Sequence, residues 1–227
     1  MCNTGSPLTH SSPNPHTKPM NLADKVTASR LMLAPVFLVV YLFPRFSTLL
    51  MPTSPATTHT VPPSNSVWIV VLLWVLFVTA ELTDMIDGLI ARKRNEVSDF
   101  GKFFDPFADT LTHLTLFFCF VLDGLLPPLL YLVIVYREFS ILFIRNLMLK
   151  KGTAMGARMG GKIKTVTYVA TCGLALLASS IQRLGMAGDL YQIFAIVASS
   201  VFAISAIIAV ISFFDYLLVY QRTGKTL

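Results

Sequence analysis

The sequence predicts an all-α integral membrane protein: six transmembrane helices around a cytoplasm-facing polar cavity, preceded by a short amphipathic interfacial helix. Three observations carry that expectation. Apolar residues make up 54% of the chain and charged residues 13%, with a mean hydropathy of +0.67, whereas a soluble domain is nearer a quarter charged. The apolar residues gather into six runs with lengths suited to a hydrocarbon core of ~30 Å. The charges that do occur in or beside these runs are clustered. An ionisable group facing lipid is costly, so clustered charges point to a polar interior.

Taken in order, residues 1–19 are polar and rich in proline and serine, and read as a disordered tail rather than a signal peptide. Residues 20–31 contain the amphipathic stretch NLADKVTASR, suited to the membrane interface. Residues 32–220 form one domain whose spans fall at 32–49, 66–90, 102–122, 128–147, 165–182 and 190–219. A short basic tail, 221–227, follows. Between the first two spans, 50–65 is rich in proline and threonine without lysine, arginine or acid, and reads as an exposed loop. A DG–PP turn at Asp123–Pro128 separates the third and fourth spans. The three cysteines, Cys2, Cys119 and Cys172, have neither disulfide-framework nor zinc spacing.

Charge distribution sets the orientation. With the N-terminus inside, all of the 18 Lys and Arg except Arg45 and Arg183 fall on the cytoplasmic side. Both termini and the loop LKKGTAMGARMGGKIK are then cytoplasmic. The net charge of +6 lies beside apolar helices rather than along a soluble face. It fits anionic membrane lipids and phosphorylated substrates, and argues against nucleic acid.

The stretch DMIDGLIARKRNEVSDFGKFFDPFAD places Asp84, Asp87, Asp105 and Asp109 at the ends of two apolar segments. Asp84, Asp87, Gly88 and Ala91 share one helical face, and Gly101, Asp105 and Asp109 step by four along the next helix. A short polar link lets the two helices pair antiparallel so that the carboxylates converge. Divalent cations between them are the simplest way to keep four such groups ionised. Gly88 and Gly101 clear space for a bulky ligand on the same faces. A single acid pair of this kind is as often a cap or a solvated face, and Arg92 reads equally well as a flanking anchor.

A second set is basic. Arg137, Glu138 and Arg145 lie within the fourth apolar run, and Lys162 and Lys164 precede the fifth. Interfacial snorkelling is the plain alternative for Arg145, Lys162 and Lys164, and an ion pair that only fixes packing is the alternative for Arg137 and Glu138. The functional reading is a divided cavity, with acids holding metal on one wall and bases holding phosphate on the other. Two metal ions would bridge a pyrophosphate donor, and the carboxylate less committed to metal, Asp109 by position, would take the proton of the attacking hydroxyl. His113, four residues beyond Asp109, reads as a polar lining or a structural hydrogen-bond partner.

The pattern D-x2-D-G-x2-A-R-x8-G-x3-D-x3-D, met by Asp84, Asp87, Gly88, Ala91, Arg92, Gly101, Asp105 and Asp109, resembles the signature of the CDP-alcohol phosphatidyltransferases. That resemblance implies six transmembrane helices, a homodimer and magnesium or manganese, with two ions per site. It implies Asp84, Asp87 and Asp105 as the principal metal ligands, and Asp109 as general base with a share in the metal. Gly88, Ala91, Arg92 and Gly101 would belong to the site for the CDP moiety. The reaction implied is transfer of a phosphatidyl group from CDP-diacylglycerol to an alcohol, with release of CMP.

Within that family, NLADKVTASRLMLAP, REF at Arg137–Phe139, Arg145 and GKIKT at Gly161–Thr165 are similar to the branch whose acceptor is glycerol 3-phosphate. Arg137, Arg145, Lys162 and Lys164 would then hold the acceptor's phosphate. Thr110, Tyr168 and Ala23–Asp24 depart from that branch, which commonly has lysine, glutamine and proline–asparagine there. Another acceptor, such as inositol phosphate or serine, or CDP-choline or CDP-ethanolamine with diacylglycerol, would use the same aspartates. A small membrane transporter is the alternative from another class, and no second copy of the acidic hairpin favours it.

Overall fold

The structure, a computed structural model, describes residues 22–45, 67–94, 99–150, 159–186 and 188–224. For 22–26, 45, 87–94, 99–103, 149–150, 159–160, 162 and 222–224 the backbone alone is described. The 1–19 tail and the 50–65 loop lie outside these residues.

The described residues form six α-helices: α1 Leu22–Leu42, α2 Val67–Arg94, α3 Asp99–Leu122, α4 Pro128–Lys150, α5 Met159–Arg183 and α6 Asp189–Gly224. The number and order match the six expected apolar runs. By length and composition, however, three segments qualify as membrane spans: Val67–Ile86, Ile163–Arg183 and Asp189–Gln221. The apolar part of α1, Thr27–Leu42, is shorter. In α3 and α4 the residues that make a polar interior (Asp105 and Asp109; Arg137, Glu138 and Arg145) interrupt the apolar run. The fold is thus all-α and multi-pass with a polar interior, and its apolarity is spread unevenly among the helices.

The start of the chain differs from expectation in a second way. The segment read as a separate interfacial helix is continuous with α1, which runs unbroken from Leu22 through Pro35 to Leu42. Thr27 and Arg30 of this segment are buried within the protein. The helix also ends earlier than 49. A single 3-10 turn, Phe43–Arg45, contains Pro44, and a residue before proline is pushed out of helical geometry.

Packing divides the bundle in two. α1 lies against both α2 and α3, while α6 lies against α5 and α4; α3 joins the halves through contacts with α4 and α5. An antiparallel α2–α3 pair is expected; α1 packs against both of these helices, while Glu81 of α2 still reaches His113 of α3. Phe117 stands at the junction, edge-on to Tyr168 at 5.1 Å and to Phe202 at 5.0 Å between ring centroids. Phe37, Leu73, Phe77, Leu116, Cys172 and Leu176 extend this core. Outward, α2 and α6 expose Trp68, Val71, Val75, Ile196, Ile207 and Ile211, the apolar exterior that a bilayer covers. With 36 residues, α6 is about 54 Å long at ~1.5 Å per residue, more than the hydrocarbon core.

Two helix ends are closed alike. Gly124 (φ 72°) and Gly185 (φ 73°) adopt the left-handed conformation. Leu125 N–H then reaches back to Phe120 C=O at 3.0 Å, and Met186 N–H to Ile181 C=O at 3.1 Å, satisfying carbonyls that the helix leaves open. At this end Tyr41 donates to Asp123 (2.5 Å), and buried Arg183 donates to Ser179 (3.2 Å) and to the Tyr41 carbonyl (3.1 Å). These bonds pin the ends of α1, α3 and α5 together and leave the opposite ends to open around a cavity.

Candidate active site

The carboxylates and the bases meet there. A cavity of about 280 Å³ is lined by Asp84 from α2 and by Asp105, Asp109 and Thr110 from α3. Facing them are Arg137, Glu138 and Arg145 from α4, Gly161, Lys164 and Thr165 from α5, and Tyr216 from α6. The side chains of Asp87, Arg92 and Lys162 lie outside the described residues, as do the surroundings of Gly88, Ala91 and Gly101.

Because α1 packs against both α2 and α3, it supplies partners for the acids. Arg30 is ion-paired with Asp84. Thr27 donates to Asp105 at 2.7 Å. Asp109 is held from behind by His113, whose Nδ1 stands 3.1 Å from the carboxylate and 3.0 Å from the Asp109 carbonyl. The other ring nitrogen faces Glu81 at 3.6 Å. A carboxylate fixed on one side by a partner keeps its other oxygen aimed at the cavity, and such partners tune metal-binding carboxylates.

The donor set, hard oxygens from three carboxylates at one cavity, fits magnesium or manganese. Among the described residues no three His, Cys, Asp or Glu groups are close enough together to hold one ion. Asp84 is turned to Arg30 and Asp105 to Thr27, and the Asp87 side chain is not among those described.

On the opposite wall the bases do not stand alike. Glu138 is a buried hub: it accepts from Arg137 at 2.7 Å, Lys164 at 3.1 Å, Tyr168 at 2.9 Å and Thr110 at 3.5 Å. Arg137 also donates to the Ala209 carbonyl at 3.0 Å and to Ser212 at 3.1 Å. Its donors therefore serve the α4–α6 contact, the packing ion pair that the sequence left open. Arg145 differs. Among the described residues its one hydrogen-bond partner is the Tyr216 hydroxyl at 3.0 Å, and its Nε is buried without one.

Sequence reasoning did not reach Glu81 or Tyr216, and gave Thr27 and Arg30 no separate role. Thr27 and Arg30 lie in NLADKVTASR, where a polar pair facing the acids was the available signal. Tyr216 stands in an almost uniformly apolar helix and carried no signal. Thr110 and Tyr168, singled out as departures, meet on one carboxylate.

The family model for CDP-alcohol phosphatidyltransferases matches residues 20–211. Over 199 residues the chain is 36% identical to a CDP-diacylglycerol–glycerol-3-phosphate 3-phosphatidyltransferase of Treponema pallidum, covering 87% of this chain and 88% of that protein. Proteins of the same name are similar in Bacillus subtilis (33% identity; 69% of this chain, 77% of the relative) and Rickettsia felis (32%; 62% and 74%).

Proposed function

The chain belongs to the CDP-alcohol phosphatidyltransferase family, and from that premise we propose that it transfers a phosphatidyl group from CDP-diacylglycerol to glycerol 3-phosphate. The products are phosphatidylglycerophosphate and CMP. The observation that carries this reading is the divided cavity, with Asp84, Asp105 and Asp109 opposite Arg145 and Lys164. It is supported by relatives named for that reaction over most of their length.

Asp109 accepts the proton of the acceptor hydroxyl as that oxygen bonds to the lipid-bearing phosphorus. The bond from that phosphorus to the CMP phosphate oxygen breaks, and CMP leaves. His113 holds Asp109 in place. Arg145, with Lys162 and Lys164, binds the acceptor phosphate, and Arg137 fixes α4 against α6. Gly88, Ala91, Arg92 and Gly101 receive the CDP moiety. Asp84, Asp87 and Asp105, with a share from Asp109, would hold magnesium or manganese, which would supply positive charge to the pyrophosphate and the leaving phosphate.

All six helices cross the bilayer, α3 and α4 turning their charges inward. Both termini and the cavity face the cytoplasm, where glycerol 3-phosphate and CMP are soluble. The protein works as a homodimer among anionic lipids. A different alcohol is the second reading, favoured by one observation: Lys164 is engaged by Glu138, which lowers the positive charge left for a phosphate.

The test is acceptor competition with purified protein, labelled CDP-diacylglycerol, magnesium and one alcohol at a time. Product with glycerol 3-phosphate alone is expected. Product with serine or inositol phosphate but not glycerol 3-phosphate would overturn the acceptor and keep the chemistry.

A further inference from the structure

We infer that Tyr216 is a specificity-determining residue for the acceptor, its hydroxyl positioning Arg145 and donating to the acceptor's phosphate beside it. This rests on the reading that Arg145 binds that phosphate. Tyr216 lies beyond residues 20–211, the part matched by the family model.

The hydroxyl geometry carries the inference. Tyr216 is buried apart from its access to the cavity. Its oxygen accepts from Arg145 Nη2 at 3.0 Å, so its own hydrogen is directed elsewhere. Among the described residues that O–H has no acceptor. Arg145 Nε, also buried, has none either. Two adjacent donors without acceptors, at the wall of a polar cavity, call for an oxyanion that takes both. Of the other described cations of the cavity, Arg137 and Lys164 each share their charge with Glu138, so Arg145 and Tyr216 offer the donors not already engaged.

Local packing holds the pair in place. The guanidinium carbon is 5.5 Å from the Tyr216 ring centroid, within reach of the ring's field. Across the cavity, a side-chain carbon at Gly161 would stand 3.7 Å from the Tyr216 hydroxyl. A methyl at Gly161 would therefore stand in ordinary contact with the oxygen, which places the first turn of α5 beside it. A phosphomonoester of a small alcohol suits two adjacent donors better than a neutral hydroxyl does. If the tyrosine only packed against Arg145, its loss would affect both substrates.

Tyr216→Phe tests this in the purified full chain, with Arg145→Ala alongside. Tyr216→Phe should raise the apparent KM for glycerol 3-phosphate about tenfold, the effect of one hydrogen bond to a charged group. The KM for CDP-diacylglycerol should move less than about twofold, on the same reasoning that the donor makes no bond to this hydroxyl. Glycerol 3-phosphate should also raise the melting temperature of the wild type more than that of the variant, a reading independent of turnover. An unchanged acceptor KM, or a parallel rise in both KM values, overturns the inference. Should Tyr216→Phe not survive purification, Tyr216→Gln must bind glycerol 3-phosphate more tightly than Tyr216→Leu, and equal binding overturns it. If Arg145→Ala itself leaves the acceptor KM unmoved, the acceptor reading fails at Arg145. If Arg145→Ala raises that KM and Tyr216→Phe does not, only the role of the tyrosine fails.

Discussion

Arg30 of α1 is ion-paired with Asp84 of α2, a residue 54 positions further along the chain. The pair exists because α1 packs against both helices that bear the acids. Its cation offsets part of the repulsion that converging carboxylates otherwise carry. Arg30→Ala should lower metal-dependent transfer by about 10–100-fold, the usual effect of removing a group that supports a ligating carboxylate. Arg30→Lys should recover part of it. CMP release titrated with magnesium is the measurement, and wild-type magnesium dependence in Arg30→Ala would remove Arg30 from the site.

Asp109 is the proposed base. Asp109→Asn keeps the shape and the contact with His113 but cannot take a proton, so kcat should fall by about 10²–10⁴-fold. The variant should melt within a few degrees of the wild type. Full activity in Asp109→Asn would assign the proton to another group.

Metal dependence follows from the donor set. Chelation with EDTA should abolish CMP release, and magnesium or manganese should restore it where calcium restores less, because Mg²⁺ requires tighter octahedral oxygen geometry. Asp84→Asn and Asp105→Asn should each shift the restoring metal concentration upward. Activity that persists through exhaustive chelation would rule the metal reading out.

Glu138 makes a prediction about stability rather than turnover. It accepts from Arg137, Lys164 and Tyr168 inside the bundle. Glu138→Ala leaves two buried cations without their counter-charge, which costs about 3–5 kcal/mol. For a chain of this size that corresponds to a drop of roughly 10 °C in melting temperature. A melt unchanged from the wild type would mean that water already satisfies those cations.

How far the sequence could lead is visible in particular residues. Asp84, Asp105 and Asp109 announced themselves because acids in apolar helices need a reason, and their three- and four-residue steps place them on shared faces wherever the helices go. Composition likewise decided the all-α membrane class, and the DG turn marked the end of α3 to the residue. Local chemistry was enough for each of these, since helix periodicity, glycine at positive φ and the cost of a charge in lipid act over a few residues.

Neighbourhood is another matter. Nothing in the apolar faces of α1 and α6 marked which helices they would meet, because an apolar face alone names no partner. Only the packed bundle decided that α1 lies against both α2 and α3 and brings Thr27 and Arg30 to the acids. It also decided that Glu138 engages Arg137 and Lys164, so that charges counted as equal in the sequence are not equally free. Tyr216 entered the cavity in the same way, carried there by the packing of α6 against α4 and α5. Spacing along a helix fixes which side chains travel together; which of them meet across helices is fixed by burial, summed over the whole fold.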